Sequence, residues 1–259
     1  MRRTGLILAA LLAAAHLPAS ALAAPAAKLH VSLNPEQLGH STNLSFRLHI
    51  NTPKGQLPTP VTELDLIYPS SLGLAVGELG LVSCLPIALE RFGVEGCSPN
   101  ALMGRGHAIA EVPVDGELNS ETAEIAVVRA PEQQGHIAMY FYIEGHTPLA
   151  TEIVDPGTLL PTAISSQETL QIKVPQLRLG PDGPWISLVQ LDATIGPNGL
   201  TYQEHSHGHT VKYKPTGILL PNTCPHGGFR FTAEVTFITG IHTTTQTRVP
   251  CPGTNRRAG

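Results

Sequence analysis

The chain has 259 residues, 42% apolar and 14% charged, with 25 glycines and 23 prolines. Its formal charge is −4, and without Arg2 and Arg3 it carries 14 basic against 20 acidic residues, a net −6. No run of about five or more like charges occurs, which argues against a nucleic-acid surface or a polybasic membrane patch, and the Gly and Pro content stays below that of a disordered repeat.

Residues 1–23 read as an export signal. Arg2 and Arg3 supply the positive start, the apolar run Leu6–Leu17 is too short to span a bilayer, and Ala21-Leu22-Ala23 has the small-x-small pattern that a signal peptidase cuts. The mature chain is expected to begin near Ala24 and to fold outside the cytoplasm, where cysteines pair. No transmembrane segment is expected after the signal, and with no cysteine near the cleavage point, lipid attachment is not expected either.

The following elements read as strands. Leu29–Leu33 comes first, then Ser41–Asn51, where Leu44, Phe46, Leu48 and Ile50 fall on one face and Ser45, Arg47 and His49 on the other. Thr62–Tyr68 is next, and the glycine-rich Leu72–Leu81 reads as a loop–strand–loop. One short helix is expected at Leu85–Phe92, with Leu85, Leu89 and Phe92 on one side and Gly93 as its stop. Gly104-Arg105-Gly106 reads as a tight turn into the strand His107–Val114, followed by Glu121–Arg129 and by His136–Glu144 with Ile137, Met139, Phe141 and Ile143 on one face. Leu170–Val174, Trp185–Ile195, Phe229–Phe237 and Thr244–Val249 complete the set. Breakers separate them, among them Thr52-Pro53-Lys54-Gly55, Asp155-Pro156-Gly157 and Gly196-Pro197-Asn198-Gly199.

Many short alternating strands between turn signals predict an all-β fold, an immunoglobulin-like antiparallel β-sandwich. A break near Asp155–Pro161 would divide the chain into two associated β lobes, 24–158 and 159–259, each holding one cysteine pair; the alternative is one β domain over 24–259. The cysteines are Cys84, Cys97, Cys224 and Cys251, which allow three pairings. Sequential pairing is expected because each couple lies within one local unit, and each bridge contributes about 3–4 kcal/mol by the loop-entropy estimate.

Chemistry-bearing residues are sparse. In His205-Ser206-His207-Gly208-His209, a regular strand places the three imidazoles on one face, neighbours about 7 Å apart. A bend at Gly208 would bring all three to one zinc or copper ion, whose nitrogens must lie about 2 Å away. The plainer reading is a polar, solvent-facing hairpin between Tyr202 and Tyr213. No other cofactor is expected. Glu63 with Asp65, or Glu111 with Asp115, are the candidate carboxylate pairs for a secreted hydrolase, but isolated acids on strands more often form the wet side of a sheet. No G-x-S-x-G or H-E-x-x-H motif occurs, and no catalytic residue is expected. Tyr140 and Tyr142 read as an outward aromatic strip, either a binding surface or a face packed under a loop.

The chain is similar to a group of exported bacterial proteins of high-GC, actinobacterial type that carry no assigned activity. The similarity covers the mature chain and rests on Val31–Phe46, Leu72-Gly73-Leu74, Cys97-Ser98-Pro99-Asn100, Met103-Gly104-Arg105-Gly106, Leu200-Thr201-Tyr202, Gly227-Gly228-Phe229 and Val249-Pro250-Cys251-Pro252. These are turn, staple and core residues, and His205–His209 lies outside the pattern. The resemblance implies secretion and a β-rich fold and supplies no catalytic residue. The expectation is therefore an exported, disulfide-stapled, non-catalytic structural or binding component of the envelope or extracellular space, with a protein or polysaccharide as its unknown partner. The alternatives are an extracellular metal-binding module and a secreted hydrolase.

Overall fold

The computed structural model describes residues 25–53, 55–73, 78–146, 150–164 and 166–252. The expected export signal, residues 1–23, lies outside the described residues. The strands are β1 (Ala26–Asn34), β2 (Ser41–Asn51), β3 (Val61–Pro69), β4 (Leu102–Val114), β5 (Glu117–Arg129), β6 (Ala138–Gly145) and β7 (Thr151–Pro161). They continue with β8 (Gln167–Lys173), β9 (Ser187–Ile195), β10 (Tyr202–Ser206), β11 (His209–Tyr213), β12 (Ile218–Leu219), β13 (Phe229–Phe237) and β14 (His242–Val249). One short helix, α1 (Pro86–Phe92), precedes β4.

The fold is all-β and antiparallel. One hydrogen-bonded path runs β1-β2-β9-β4-β5-β6-β7-β8-β3-β13-β14, with β12 added to β2, and β10 and β11 form a separate hairpin. The path nearly closes on itself: Thr243 Oγ1 on β14 donates to the carbonyl of Pro25, just ahead of β1, at 2.6 Å. The outcome is a barrel-like sandwich, one continuous path in place of the two separate sheets of an immunoglobulin domain. Period-two alternation explains it. Phe46, Leu48 and Ile50 on β2 and Phe229, Phe231 and Phe237 on β13 point into one shared core, while Arg47, Glu63 and Lys173 point outward. Apolar inside and charged outside is the reverse of a membrane-spanning barrel, and among the described residues no helix is long and apolar enough to cross a membrane.

The boundary expected at 158/159 falls inside β7, which is paired to β6 on one side and β8 on the other. Strands from the two expected lobes also interleave, since β2 and β4 both pair with β9, and β3 pairs with both β8 and β13. The ladder thus runs across 158/159 without a break between strands.

Two segments read as turns are strand. Gly104-Arg105-Gly106 belongs to β4, and the glycines are there for proximity: a Cβ on Gly104 would run into Thr194 O, and one on Gly106 into Asp192 O, across the ladder to β9. Asp155-Pro156-Gly157 belongs to β7. Leu159 N donates toward β6, to Ile137 O at 2.8 Å. Alternate residues send their N–H groups to the same side, so the donor Pro156 lacks would have faced β8, whose ladder with β7 begins only at Gly157.

Both disulfides pair sequentially. Cys84–Cys97 has a Cα–Cα distance of 5.4 Å and Cys224–Cys251 one of 5.9 Å. The first closes a loop that holds α1 against the outer side of β5 and β6, where Leu89 is buried with Ala101, Ala126, Val128 and Tyr142. The expected helix face is corrected here: Leu85 is 59% exposed and Phe92 69%. Leu85 is the extended residue before the helix and Phe92 leaves helical geometry at its end, so a 3.6-residue period does not carry either of them onto the buried side. The second bridge ties the approach to β13 to the chain leaving β14.

Candidate functional site

The interior is not filled evenly. Where β4, β5 and β6 run side by side, their inward positions are Ala108, Ala110, Ala123 and Gly145, and the space these small residues leave is a cavity of about 110 Å³. Its other walls are apolar, among them Phe141, Ile143, Ile153 and Leu191, and the loop after β8 contributes Pro175, Leu177 and Ile186. Two acidic residues join this lining, Glu121 from β5 and Asp155 from β7, each only 5% exposed.

Asp155 sits across the ladder from Phe141. Among the described residues none hydrogen-bonds to its carboxylate, and burial pushes its carboxyl up to about 7. Gly157, two residues along the same face, has no room for a side chain, because a Cβ there would lie 2.7 Å from Phe141 Cε2. The Asp-Pro-Gly stretch thus places an acid beside an aromatic ring that covers a glycine. Among the described residues no Lys, Arg or His contributes to the cavity lining.

The histidine segment is arranged differently from the expectation. His207 (φ 50°) and Gly208 (φ 80°) occupy a two-residue turn with both φ values positive, the type I′ geometry that joins tight hairpins. His205 pairs across the hairpin with Thr210, and Ser206 with His209. Successive cross-strand pairs point to opposite faces, so His205 and His209 face away from one another and His207 stands at the tip. Among the described residues no group of three His, Cys, Asp or Glu side chains could hold a metal ion. The hairpin is fixed at its base instead. Tyr202 and Tyr213 meet edge-to-face at 6.0 Å, and the buried Tyr202 hydroxyl donates to Leu102 O at 2.6 Å and accepts from Gly80 N at 2.8 Å. Asn100 holds Gln203 with two further bonds, at 2.7 and 2.8 Å.

The candidate carboxylate pairs lie away from the cavity. Glu63 is ion-paired with Lys173 and accepts from Gln171 on the outer side of β3. Asp65 beside it has its carboxyl raised, first by burial and also by Glu234 on β13, with a Gln171 hydrogen bond opposing. Glu111 accepts from Ser120 Oγ at 2.7 Å, and Asp115 (φ 52°) lies in the turn between β4 and β5. On the outer face His107 Nε2 lies 3.0 Å from Asp192, whose carboxylate also pairs with Arg47. No hydroxyl among the described residues hydrogen-bonds to His107. Tyr142 is buried under α1, and burial raises the phenol pKa of Tyr140 and Tyr142, so the strip is a packed face.

Sequence reasoning missed both acids of the cavity. Thr151–Pro161 carries Ile153, Asp155, Gly157 and Leu159 at alternate positions, which is a strand signal once Pro156 is allowed beside a ladder end. Ala108, Ala110 and Ala123 at inward positions of neighbouring strands are the second signal, since three adjacent small side chains leave space. The chain matches no protein-family model, and no curated protein or solved structure matches it.

Proposed function

We propose that this is an exported, non-catalytic binding protein that seats an apolar group of a small ligand in the cavity lined by β4, β5, β6 and β7, and that it belongs to the exported β-rich group its sequence resembles. The observation that carries this reading is the cavity itself: about 110 Å³, apolar on nearly every wall, formed by alanines and a glycine at positions that elsewhere in this interior hold large side chains. An engineered apolar cavity of about 150 Å³ takes benzene or xenon, so this space suits a ring or a short chain segment. Export is supported by the leader pattern of residues 1–23 and by two disulfides with no free cysteine among the described residues. In this reading the partner is a small molecule in place of the protein or polysaccharide expected from the sequence.

The test is calorimetric titration of the disulfide-intact protein with benzyl alcohol, beside the cavity-filling variant Ala123→Leu. Saturable binding that the variant loses, with its melting temperature unchanged or raised, is the expected result. Equal binding by both proteins, or binding by neither, overturns the proposal.

A further inference from the structure

We infer that the ligand of this cavity is a cation: an apolar body bearing a protonated amine whose nitrogen pairs with the Asp155 carboxylate. The inference rests on the reading of the cavity as a binding site and adds the chemistry of its occupant.

Among the described residues the cavity lining carries two acids, Asp155 and Glu121, and no basic side chain. Asp155 is nine-tenths buried on the cavity wall, and no described residue donates a hydrogen bond to it. Buried carboxylates are ordinarily matched by a cation, a donor or a metal, because an unmatched one is costly to desolvate. Nothing in this chain's described residues supplies the match to Asp155, and an ammonium group entering with the ligand would. The apolar walls take the ligand's body, and the low local dielectric strengthens the ion pair once water is displaced. Asp155 also discriminates against anions: a carboxylate or phosphate amphiphile would bring like charge against it among apolar walls. Apolar shape therefore admits the ligand and charge selects it.

The proton balance is simple. Where Asp155 is already ionised, an ammonium ion binds as such; where it is protonated, a neutral amine takes the proton and the same ion pair results. With the Asp155 carboxyl raised by burial to about 7, acid weakens ammonium binding by keeping it neutral. Among the described residues of the elements around the cavity (β3, β4, β5, β6, β8, β9 and the loop after β8), β5 alone brings another titratable group to its lining, Glu121.

Three matched probes test this on the disulfide-intact protein at about pH 8: benzylamine, benzyl alcohol and benzoate, measured by calorimetry with the native protein and with Asp155→Asn. Benzylamine should bind at least about tenfold tighter than the alcohol, the scale of a charge-assisted hydrogen bond, with benzoate weakest. In Asp155→Asn that preference should fall below about twofold while alcohol binding persists, which shows that the variant remains folded with its cavity intact. The preference of the native protein should also shrink toward about pH 5. If alcohol and amine bind the native protein equally, the inference fails and the binding reading stands. An amine preference that survives in Asp155→Asn overturns the assignment to Asp155. Binding of none of the probes overturns both the inference and the reading beneath it.

Discussion

The interior of this sandwich has a filled region and a hollow one along the same antiparallel path of strands. On the filled side β3 and β13 bring Tyr68, Leu64, Leu66, Phe229, Phe231 and Phe237 together, all fully buried. On the hollow side β4, β5 and β6 present Ala108, Ala110, Ala123 and Gly145 at equivalent inward positions. On the hollow side the β4–β9 ladder shifts register between Ile109 and Ala110 and the β7–β8 pairing begins only at Gly157, so small side chains and an irregular ladder together leave the space. One side spends its inward positions on packing density, and the other keeps them small and places two acids beside the gap. A fold held by its filled side and its disulfides can tolerate a hollow elsewhere.

That contrast is open to direct attack. Phe231→Ala removes a fully buried ring from the filled side and should cost about 3–5 kcal/mol in denaturant unfolding. A cost near zero would mean that the filled side is not where stability resides. Replacing Cys224 and Cys251 with serine opens a loop with a sequence separation of 27 and should cost about 3.5 kcal/mol, the sequential bridge being the clamp at the end of β13 and β14. Neither change should alter benzyl alcohol affinity at temperatures where the protein remains folded.

Asp155→Asn acts on the hollow side with the opposite sign. The native carboxyl lies at about 7 against 3.8 for the free group, so between those values the folded chain holds more protons than the unfolded one. Stability from this group is therefore complete below about pH 4, is lost as pH rises through about 7, and stays lost above it. At about pH 8 the variant should be more stable than the native protein by up to a few kcal/mol, and the difference should vanish near pH 4. Urea midpoints across this range check it, and a difference that does not depend on pH would assign the effect to packing.

Most of the ladder is readable in the sequence, because β2, β3, β6, β9 and β13 alternate cleanly and their turns carry glycine or proline. The sequential disulfides are readable from proximity along the chain. What stays hidden has a common physical cause: residue types with two uses. Asp155-Pro156-Gly157 has turn composition, and only the neighbouring strands show that the proline's missing donor faces the end of a ladder. Gly104 and Gly106 look like a turn and are strand, because glycine also permits close backbone approach. The histidine segment misleads in the other direction. Its i, i+2, i+4 spacing puts three imidazoles on one face only in a regular strand, and the turn at His207-Gly208 splits them across two faces. Inward alanines carry little signal one at a time and become a cavity only when three strands bring them side by side.

The smallest expected effect is the most discriminating. Ala123→Val adds two methyl groups at a position lining the hollow. In a close-packed interior, added volume forces strained rotamers and costs about 1–3 kcal/mol. Where space already exists, the same methyls displace no neighbour and gain burial worth about 0.8 kcal/mol per carbon at most, partly offset by the fixed valine rotamer. The expected change in unfolding free energy is therefore between about zero and 1 kcal/mol of stabilisation, with benzyl alcohol affinity reduced because the two compete for one volume. A destabilisation of about 2 kcal/mol would show that the alanines are already in tight contact with their neighbours, and the distinction between a filled and a hollow side would fall with it.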